Sequence, residues 1–246
     1  MHVLAIHAHP DDVEFLAAGT LALLRHAGHQ VTIVTMTAGD CGSRHHGPVE
    51  LTRLRTAEAA KSASLIGAAY RCAGFGDMSI FNDDASRRRV TELLREIAPD
   101  VVLTASPSDY HADHEATSVL VRDAAFNAPI PNYDCGSAEP MPDIPHLYFM
   151  DPVEGLDREG RPIKPHFVVD ISSVFELKKS MLACHETQRR WLQEHHHMDS
   201  YLDEMERWTK ARGGLRWVTY GEGFRAYHCH PYPRTPKLEE ALAGFV

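Results

Sequence analysis

The sequence lacks several features that would direct the search for a function. No apolar run approaches the roughly 20 residues of a membrane-spanning helix, so we expect no membrane partner. Lys and Arg total 25 against 34 Asp and Glu, and no stretch is strongly basic. Because phosphate binding needs clustered cations, this balance argues against a nucleic-acid partner.

Cysteine is also scarce. The five cysteines are odd in number, dispersed along the chain and free of any C-x-x-C pair. This usage is typical of reduced thiols in a cytoplasmic protein. The first nine residues lack the basic leader of a signal peptide, which favours the same cytoplasmic location.

Strand-like apolar runs alternate with helical patterns over the first two thirds of the chain. Such alternation predicts right-handed βαβ units. We therefore expect one α/β domain over residues 1–246, a Rossmann-like three-layer sandwich with a mostly parallel central sheet and helices on both faces. The predicted strands are 3–7, 31–37, 69–73, 101–105, 146–150 and 168–171, and the predicted helices are 14–27, 50–66, 86–98, 113–125, 173–184 and 199–211.

Residues 129–165 differ from the rest of the chain in composition. Eight of the fifteen prolines fall in this stretch. It is predicted to be a long loop with one embedded strand, and long loops in compact domains are often lids or binding loops. We therefore expect a Pro-rich loop on the substrate side of the domain.

The segment Ala8-His9-Pro10-Asp11-Asp12-Val13-Glu14 directly follows the first predicted strand. A nucleotide-binding fold would place glycines here, so that backbone amides could approach a phosphate. Three acids and a histidine suit a metal ion and a base instead. The alternative is a structural one, since Asp11 and Glu14 have the spacing of a capping box.

A second polar cluster, Ser106-Pro107-Ser108-Asp109-Tyr110-His111-Ala112-Asp113-His114, follows the strand predicted at 101–105. His111 and His114 are three residues apart and share a face at a helix start. The chain has 17 histidines, so this spacing alone is weak. Ligands of parallel sheets bind beyond the carboxyl ends of the strands, which strengthens the pair.

These two segments resemble the signatures of the PIG-L/LmbE-like family of zinc deacetylases, A-H-P-D-D-x-E and H-x-D-H, in that order along the chain. The resemblance continues through Gly39-Asp40-Cys41-Gly42 and Arg55-Thr56-Ala57-Glu58, and more weakly through residues 178–188 and 222–224. It covers most of the chain, and 129–165 is the part that matches least.

The resemblance implies a metal held by His9, Asp12 and His114. Two imidazoles and one carboxylate leave an open position for water, as catalytic zinc requires, although the same set suits Fe²⁺. Asp11 matches the general base of the family. The implied reaction is Asp-assisted attack by metal-bound water, which removes an N-acyl group, expected to be acetyl, from an amino-sugar derivative.

Other site roles follow from the same resemblance. His111 matches the residue that stabilises the oxyanion, and would supply positive charge if protonated. Arg55 matches a substrate-binding arginine, and Asp40 is expected to line the pocket. The alternative for Arg55 is a solvated helix residue paired with Glu58.

Two further acids have structural alternatives. Asp113 could orient a metal-bound histidine, or it could be an acid of a helix first turn. Glu14 is expected to cap the helix and to support the ligands. No chemistry is assigned to a further set of residues, namely Tyr110, His185, His195, His196, His197, His228 and His230. Of these, His195 to His197 are expected at a surface helix end or loop. His228 and His230 are expected to alternate on a last strand.

The expected partner is a small-molecule N-acetylated sugar or glycoside, and the resemblance implies a homo-oligomer. One alternative is a non-catalytic, metal-bearing sugar-binding module. A second is an Fe(II) oxygenase that uses His111, Asp113 and a distant histidine. Those oxygenases are all-β barrels, which the alternation of helices and strands disfavours.

Overall fold

In the part of the chain that the structure describes, the centre of the fold is a sheet of seven strands in the order β3-β2-β1-β4-β5-β7-β6. The computed structural model describes residues 1–196 and 201–246, and within the helix that ends at His196 it does not describe the side chain of that residue. The strands are β1 (His2–His7), β2 (Gln30–Thr37), β3 (Ala69–Phe75), β4 (Val101–Thr104), β5 (His146–Met150), β6 (Phe167–Asp170) and β7 (Gly221–Ala226).

Helices cover both faces of this sheet, which confirms the predicted α/β class. Their bounds are α1 (Asp12–His26), α2 (Pro48–Ser64), α3 (Asp84–Ile97), α4 (Ala112–Asn127), α5 (Phe175–Leu182), α6 (Glu186–His196), α7 (Tyr201–Gly214) and α8 (Lys237–Ala241). One apolar cluster joins α1, α5 and α7 to the sheet, and a second joins α3 and α4 to it. Two cores separated by one sheet are the expected result when side chains alternate between the faces of each strand.

The first five strands are parallel, as the βαβ pattern predicts. The last part of the sheet differs, because β7 lies between β5 and β6 and is antiparallel to both. The strand ends at Ala226, so the expectation that His228 and His230 alternate on a last strand is wrong. His197, expected at a surface helix end or loop, and Asp199, the first residue of a predicted helix, lie outside the described residues.

A buried ion pair joins α5 to β7, and its carboxylate also binds α1. Lys178 Nζ lies 2.6 Å from a carboxylate oxygen of Glu222, and both side chains are almost completely buried. The same carboxylate accepts hydrogen bonds from the backbone N–H groups of Gly19 and Thr20 in α1. The helix that follows the first motif is therefore fixed by residues near the end of the chain.

None of the helices within residues 1–196 and 201–246 is long and apolar enough to cross a membrane.

Candidate metal centre

The topology brings the two sequence motifs together. Strands β1 and β4 are parallel neighbours, and their carboxyl ends lead to His9 and to the start of α4. His111 precedes α4 and His114 lies in its first turn. Residues about a hundred positions apart in sequence therefore meet at one edge of the sheet.

Three atoms at this edge form a nearly equilateral triangle. His9 Nδ1 lies 3.3 Å from His114 Nε2, and Asp12 Oδ2 lies 3.4 Å from each of these nitrogens. A cation near the centre of this triangle would lie about 2.0 Å from all three atoms, a normal zinc–ligand distance. The residues present therefore fit a divalent metal with an open coordination position.

Carboxylates hold both ligand histidines by their other nitrogen. His9 Nε2 lies 3.3 Å from Asp113 Oδ2 and 3.2 Å from Asp77 Oδ1. His114 Nδ1 lies 2.9 Å from Asp109 Oδ1. Such partners fix the tautomer and the ring orientation of a metal-bound histidine. Asp113 therefore has the geometry of an orienting residue, as one of its two predicted roles requires.

The carboxylate of Asp12 has a partner of its own. His7 Nδ1 lies 2.7 Å from Asp12 Oδ2, and the backbone N–H of His9 donates to the same oxygen. Burial opposes ionisation of Asp12, but the nearby His114 and His7 hold its pKa well below the usual range. His7 is completely buried, so it supports Asp12 from beneath the site.

The site attracts positive charge. Burial would lower the pKa of His9, but hydrogen bonds to Asp113, Asp12 and Asp77 raise it well above its usual value. The pKa of His114 is also raised despite burial, chiefly by Asp12 and Asp109. Two imidazoles surrounded by this many carboxylates provide a site whose excess negative charge a divalent cation would neutralise.

Asp11 lies beside the ligands in a strained conformation. Its φ of 104° lies in the left-handed region that L residues rarely adopt, and such outliers are often found at functional sites. The hydroxyl of Tyr201 donates to Asp11 Oδ2. Burial and the adjacent Asp12 raise the pKa of Asp11 to about 6.

The capping interpretation of the first motif is wrong. Asp11 makes no side-chain hydrogen bond to the first turn of α1. Glu14 instead accepts a hydrogen bond from the Ser62 hydroxyl at 2.7 Å, and its carboxylate lies 3.1 Å from His185 Nε2. These contacts place Glu14 between α1, α2 and the residue before α6, where it supports the helix that carries Asp12.

His111 is only half-buried and faces the cavity. Its Nδ1 accepts a hydrogen bond from the backbone N–H of Asp113 at 3.2 Å. Burial and the neighbouring His9 and His114 lower the pKa of His111. Both observations indicate a neutral ring with its proton on Nε2, in place of the protonated ring considered from sequence.

Arg55 is buried, with 3 % of its surface exposed, so it is not a solvated helix arginine. Its Nη2 donates to the carbonyl of Gly42 at 2.9 Å. Gly39 has a φ of +67°, and a Cβ there would lie 2.4 Å from Arg55 Nη1. Glu58, the alternative partner, instead accepts hydrogen bonds from Thr187.

Asp40 is not among the described residues that line the cavity, although Cys41 and Gly42 are. Its Oδ1 accepts a hydrogen bond of 3.3 Å from the backbone N–H of Asp77. This contact ties the loop after β2 to the loop after β3. Asp40 therefore lies behind the residues that face the cavity.

The side chains of His9, Asp12 and His114 line a cavity of about 950 Å³. Residues that follow strands form one wall of this cavity, and α6 and α7 form a second, helical wall. From the predicted Pro-rich loop, Val153 and Glu154 reach the cavity. The described residues of the helical wall that line it are Trp191, Leu192, His195, Glu204, Arg207, Trp208 and Ala211, together with Gln188 and Tyr201.

Sequence reasoning missed several residues of the site. Asp77 lies two residues after the end of β3, so the rule that ligands bind at carboxyl ends of strands would have found it. Asp109 precedes His114 by five residues in the second polar cluster, but it lies outside the H-x-D-H signature, so the resemblance implies no role for it. No local pattern marks Tyr201, because its role depends on how α7 packs over Asp11.

Two residues without a predicted role lie close to the ligands. Tyr110 is 71 % exposed, lines the cavity and places its ring edge-on to His111 and His114. His185 is buried, and the charges of Glu14 and Asp11 raise its pKa against the effect of burial. The ligand set of an Fe(II) oxygenase, which would need His111 and Asp113 together, is not formed. The Asp113 carboxylate faces His9 and the backbone of Met78. The His111 ring instead lies with His9 and His114.

The chain is similar in sequence and in structure to several known proteins. The chain is 28% identical over 200 residues to diacetylchitobiose deacetylase of Thermococcus kodakarensis, which covers 76% of this chain and 69% of the relative. It is 25% identical over 255 residues to 4-oxalmesaconate hydratase of Pseudomonas putida, and this match covers 98% of this chain and 92% of the relative. The structure of N,N'-diacetylchitobiose deacetylase from Pyrococcus horikoshii, complexed with its inhibitor MPG, is similar with a TM-score of 0.79 and 26% identity, covering 94% of this chain and 87% of that one.

The model of the PIG-L family, described as GlcNAc-PI de-N-acetylase, matches residues 4–125. This segment contains both motifs and all three atoms of the metal triangle. The remaining residues supply the helical wall and the antiparallel end of the sheet. The chain belongs to the PIG-L/LmbE-like family.

Proposed function

We propose that this protein is a zinc-dependent hydrolase that removes the N-acetyl group from an amino-sugar derivative. The observation that carries the proposal is the triangle of ligand atoms from His9, Asp12 and His114, with the Asp11 carboxylate beside it in a large cavity. The deacetylase names of the relatives from Thermococcus and Pyrococcus support the choice of an N-acetylated sugar.

A bound zinc ion supplies two effects, polarisation of the amide carbonyl and a lowered pKa of the attacking water. Asp11 takes the proton of that water as the new C–O bond forms. It then delivers the proton to the amide nitrogen as the C–N bond breaks, so that acetate and a free amine leave. Tyr201 holds the carboxylate of Asp11 by a hydrogen bond and so fixes its position.

His111 stabilises the negative charge that develops on the carbonyl oxygen. Because its Nδ1 accepts from the Asp113 backbone, its Nε2–H is the donor available to the cavity. A fixed donor aimed at a developing oxyanion stabilises the transition state more than the ground state. Arg55 lies near Asp11 and provides donors for hydroxyl groups of the sugar.

The test is acetate release from N-acetylglucosamine and its oligomers. Metal-free protein should be inactive, and stoichiometric Zn²⁺ should restore turnover, with Fe²⁺ as the parallel addition. Acetate release that is insensitive to chelation would contradict the metal-dependent mechanism. A bound metal without acetate release from any N-acetylated sugar would favour the non-catalytic sugar-binding module.

Hydration of a carbon–carbon double bond is the second candidate, because the match to the hydratase relative spans nearly the whole of both chains. Its named substrate carries several carboxylates, which need cations to bind. Among the described residues that line the cavity, the acids Asp11, Asp12, Asp77, Glu154 and Glu204 outnumber the arginines Arg55 and Arg207. This charge balance favours the deacetylase, and incubation with 4-oxalmesaconate, monitored by mass for addition of one water, tests the alternative.

A further inference from the structure

Helix α7 links the catalytic end of the cavity to a second region. Tyr201, at its start, contacts Asp11, and Trp208 lines the cavity seven residues later. Seven residues are close to two helical turns, so the two side chains lie on the same face and about 10 Å apart along the axis. A single pyranose ring spans only about half of that distance. An amide at Asp11 therefore leaves room for a further group before Trp208.

The indole of Trp208 is held rigidly. The guanidinium of Arg212 lies over its ring, 4.2 Å from the centroid. Arg212 is fixed in turn by Asp151, whose Oδ2 lies 2.7 Å from Arg212 Nε. At Gly155 a Cβ would lie 2.4 Å from the Trp208 ring, so the absence of a side chain there permits the close packing. A preorganised aromatic surface loses little entropy when a ring stacks on it.

The cation that lines the cavity beside Trp208 is neutralised within the protein. Arg207 pairs with Glu204 and lies 3.7 Å from Glu154. Arg212 and Arg225 both face the carboxylate of Asp151, and neither is among the described residues that line the cavity. The described lining residues near Trp208 therefore carry no excess positive charge with which to bind a phosphate or carboxylate group.

We propose that Trp208, supported by Arg212, forms a distal subsite for a second, uncharged ring of the substrate, such as a neutral sugar or an aryl group linked to the acylated amino sugar. The inference rests on the proposed deacetylase function. It assigns Trp208 as a specificity-determining residue, since stacking on an aromatic surface adds affinity that the first ring alone cannot gain.

The experiment measures kcat/KM of the zinc-loaded protein for N-acetylglucosamine, N,N'-diacetylchitobiose, phenyl N-acetylglucosaminide and N-acetylglucosamine 1-phosphate. The two neutral two-ring substrates should exceed the monosaccharide by about tenfold or more, and the phosphate should show no gain. Equal values for all four, or preference for the phosphate, would overturn the proposal.

Variants separate stacking from general packing. Trp208→Ala should reduce the ratio of kcat/KM for the disaccharide to that for the monosaccharide by about fivefold to tenfold, and Trp208→Phe should restore most of it. Trp217→Ala is the matched control, because Trp217 is 96 % exposed and does not line the cavity. An unchanged ratio in a folded Trp208→Ala protein would contradict the subsite.

A binding measurement keeps this inference separate from the proposed reaction. Calorimetric titration of the wild type and Trp208→Ala with N,N'-diacetylchitobiose and with N-acetylglucosamine requires no turnover. If no substrate is hydrolysed but Trp208→Ala selectively weakens disaccharide binding, the reaction is wrong and the subsite stands. If hydrolysis occurs without selective loss of disaccharide binding or turnover, the reaction stands and the subsite is wrong.

Discussion

The two walls of the cavity differ in how their lining residues are spaced along the sequence. The metal wall comes from two short segments that follow neighbouring strands, and its important side chains are adjacent in sequence or within three residues of each other. The helical wall comes from α6 and α7, where the lining residues are spaced by helical turns among charged residues. The candidate metal ligands are thus concentrated in motifs, whereas the residues of the helical wall are distributed over two helix faces.

The largest effect is expected from removing a ligand from the metal wall. Asp12→Ala eliminates one corner of the metal triangle and leaves His7 without its carboxylate partner. Zinc content measured by elemental analysis should fall to a small fraction of one per chain, and turnover should fall by about a thousandfold. Asp123→Ala, on the outer part of α4, is the control, and full zinc retention in Asp12→Ala would refute the assigned ligand.

The next effect concerns how the two parts of the chain are joined. Glu222→Gln breaks the buried pair with Lys178 and weakens the bonds to Gly19 and Thr20 in α1. Removal of one partner from a buried pair should lower the free energy of unfolding by about 3 kcal/mol.

Urea denaturation of the metal-free protein measures this change. Glu206→Gln is the control, because its pairs with Lys179 and Lys210 are at the surface and should contribute about 1 kcal/mol or less. Equal stabilities of the two variants would show that the Lys178 pair does not anchor α1.

A smaller effect is expected behind the metal wall. Asp109→Asn removes the charge that orients His114 through its Nδ1. Zinc affinity, measured by competition with a chromophoric chelator, should fall by about 10- to 100-fold while the ligands remain in place. Asp84→Asn, in an exposed pair on α3, should leave the affinity unchanged. An Asp109→Asn protein with wild-type affinity would assign the orientation of His114 to packing alone.

The smallest predicted effect is a fall in kcat on substitution of Tyr201, which contacts Asp11 from the helical wall. Tyr201→Phe removes the hydroxyl that donates to Asp11 but keeps the ring packed against Phe15. We expect kcat to fall by about tenfold, because the base loses its fixed position, while zinc content stays at the wild-type level. Tyr220→Phe, which loses a hydroxyl bonded to Glu206 instead, provides the comparison. A loss of zinc in Tyr201→Phe would place the tyrosine in metal binding.

Sequence predicted the metal wall better than the helical wall for a physical reason. Strands β1 and β4 are short runs of mostly apolar residues, and the two motifs follow these strands. Helix α6 was not predicted, because the segment Glu186–His196 is dominated by polar and charged residues. The residues of α6 that face the cavity are determined by the packing of this helix against α2 and α7.

The antiparallel end of the sheet shows a similar limit. Strand β7 has the sequence Gly-Glu-Gly-Phe-Arg-Ala, without regular alternation of apolar and polar residues. Its glycines are required by close contacts, since a Cβ at Gly223 would lie 2.1 Å from Asp151 Oδ2. Its pairing is set by tertiary contacts with β5 and β6, which a local pattern does not encode.

The role of Asp11 as the base is tested by comparing the wild type with Asp11→Asn. Both proteins are loaded with zinc, and zinc per chain and amine release from N,N'-diacetylchitobiose are measured side by side. We expect one zinc per chain in both proteins and a loss of at least about a hundredfold in turnover in Asp11→Asn. Turnover close to the wild-type rate in zinc-loaded Asp11→Asn would contradict the assignment of Asp11 as the base.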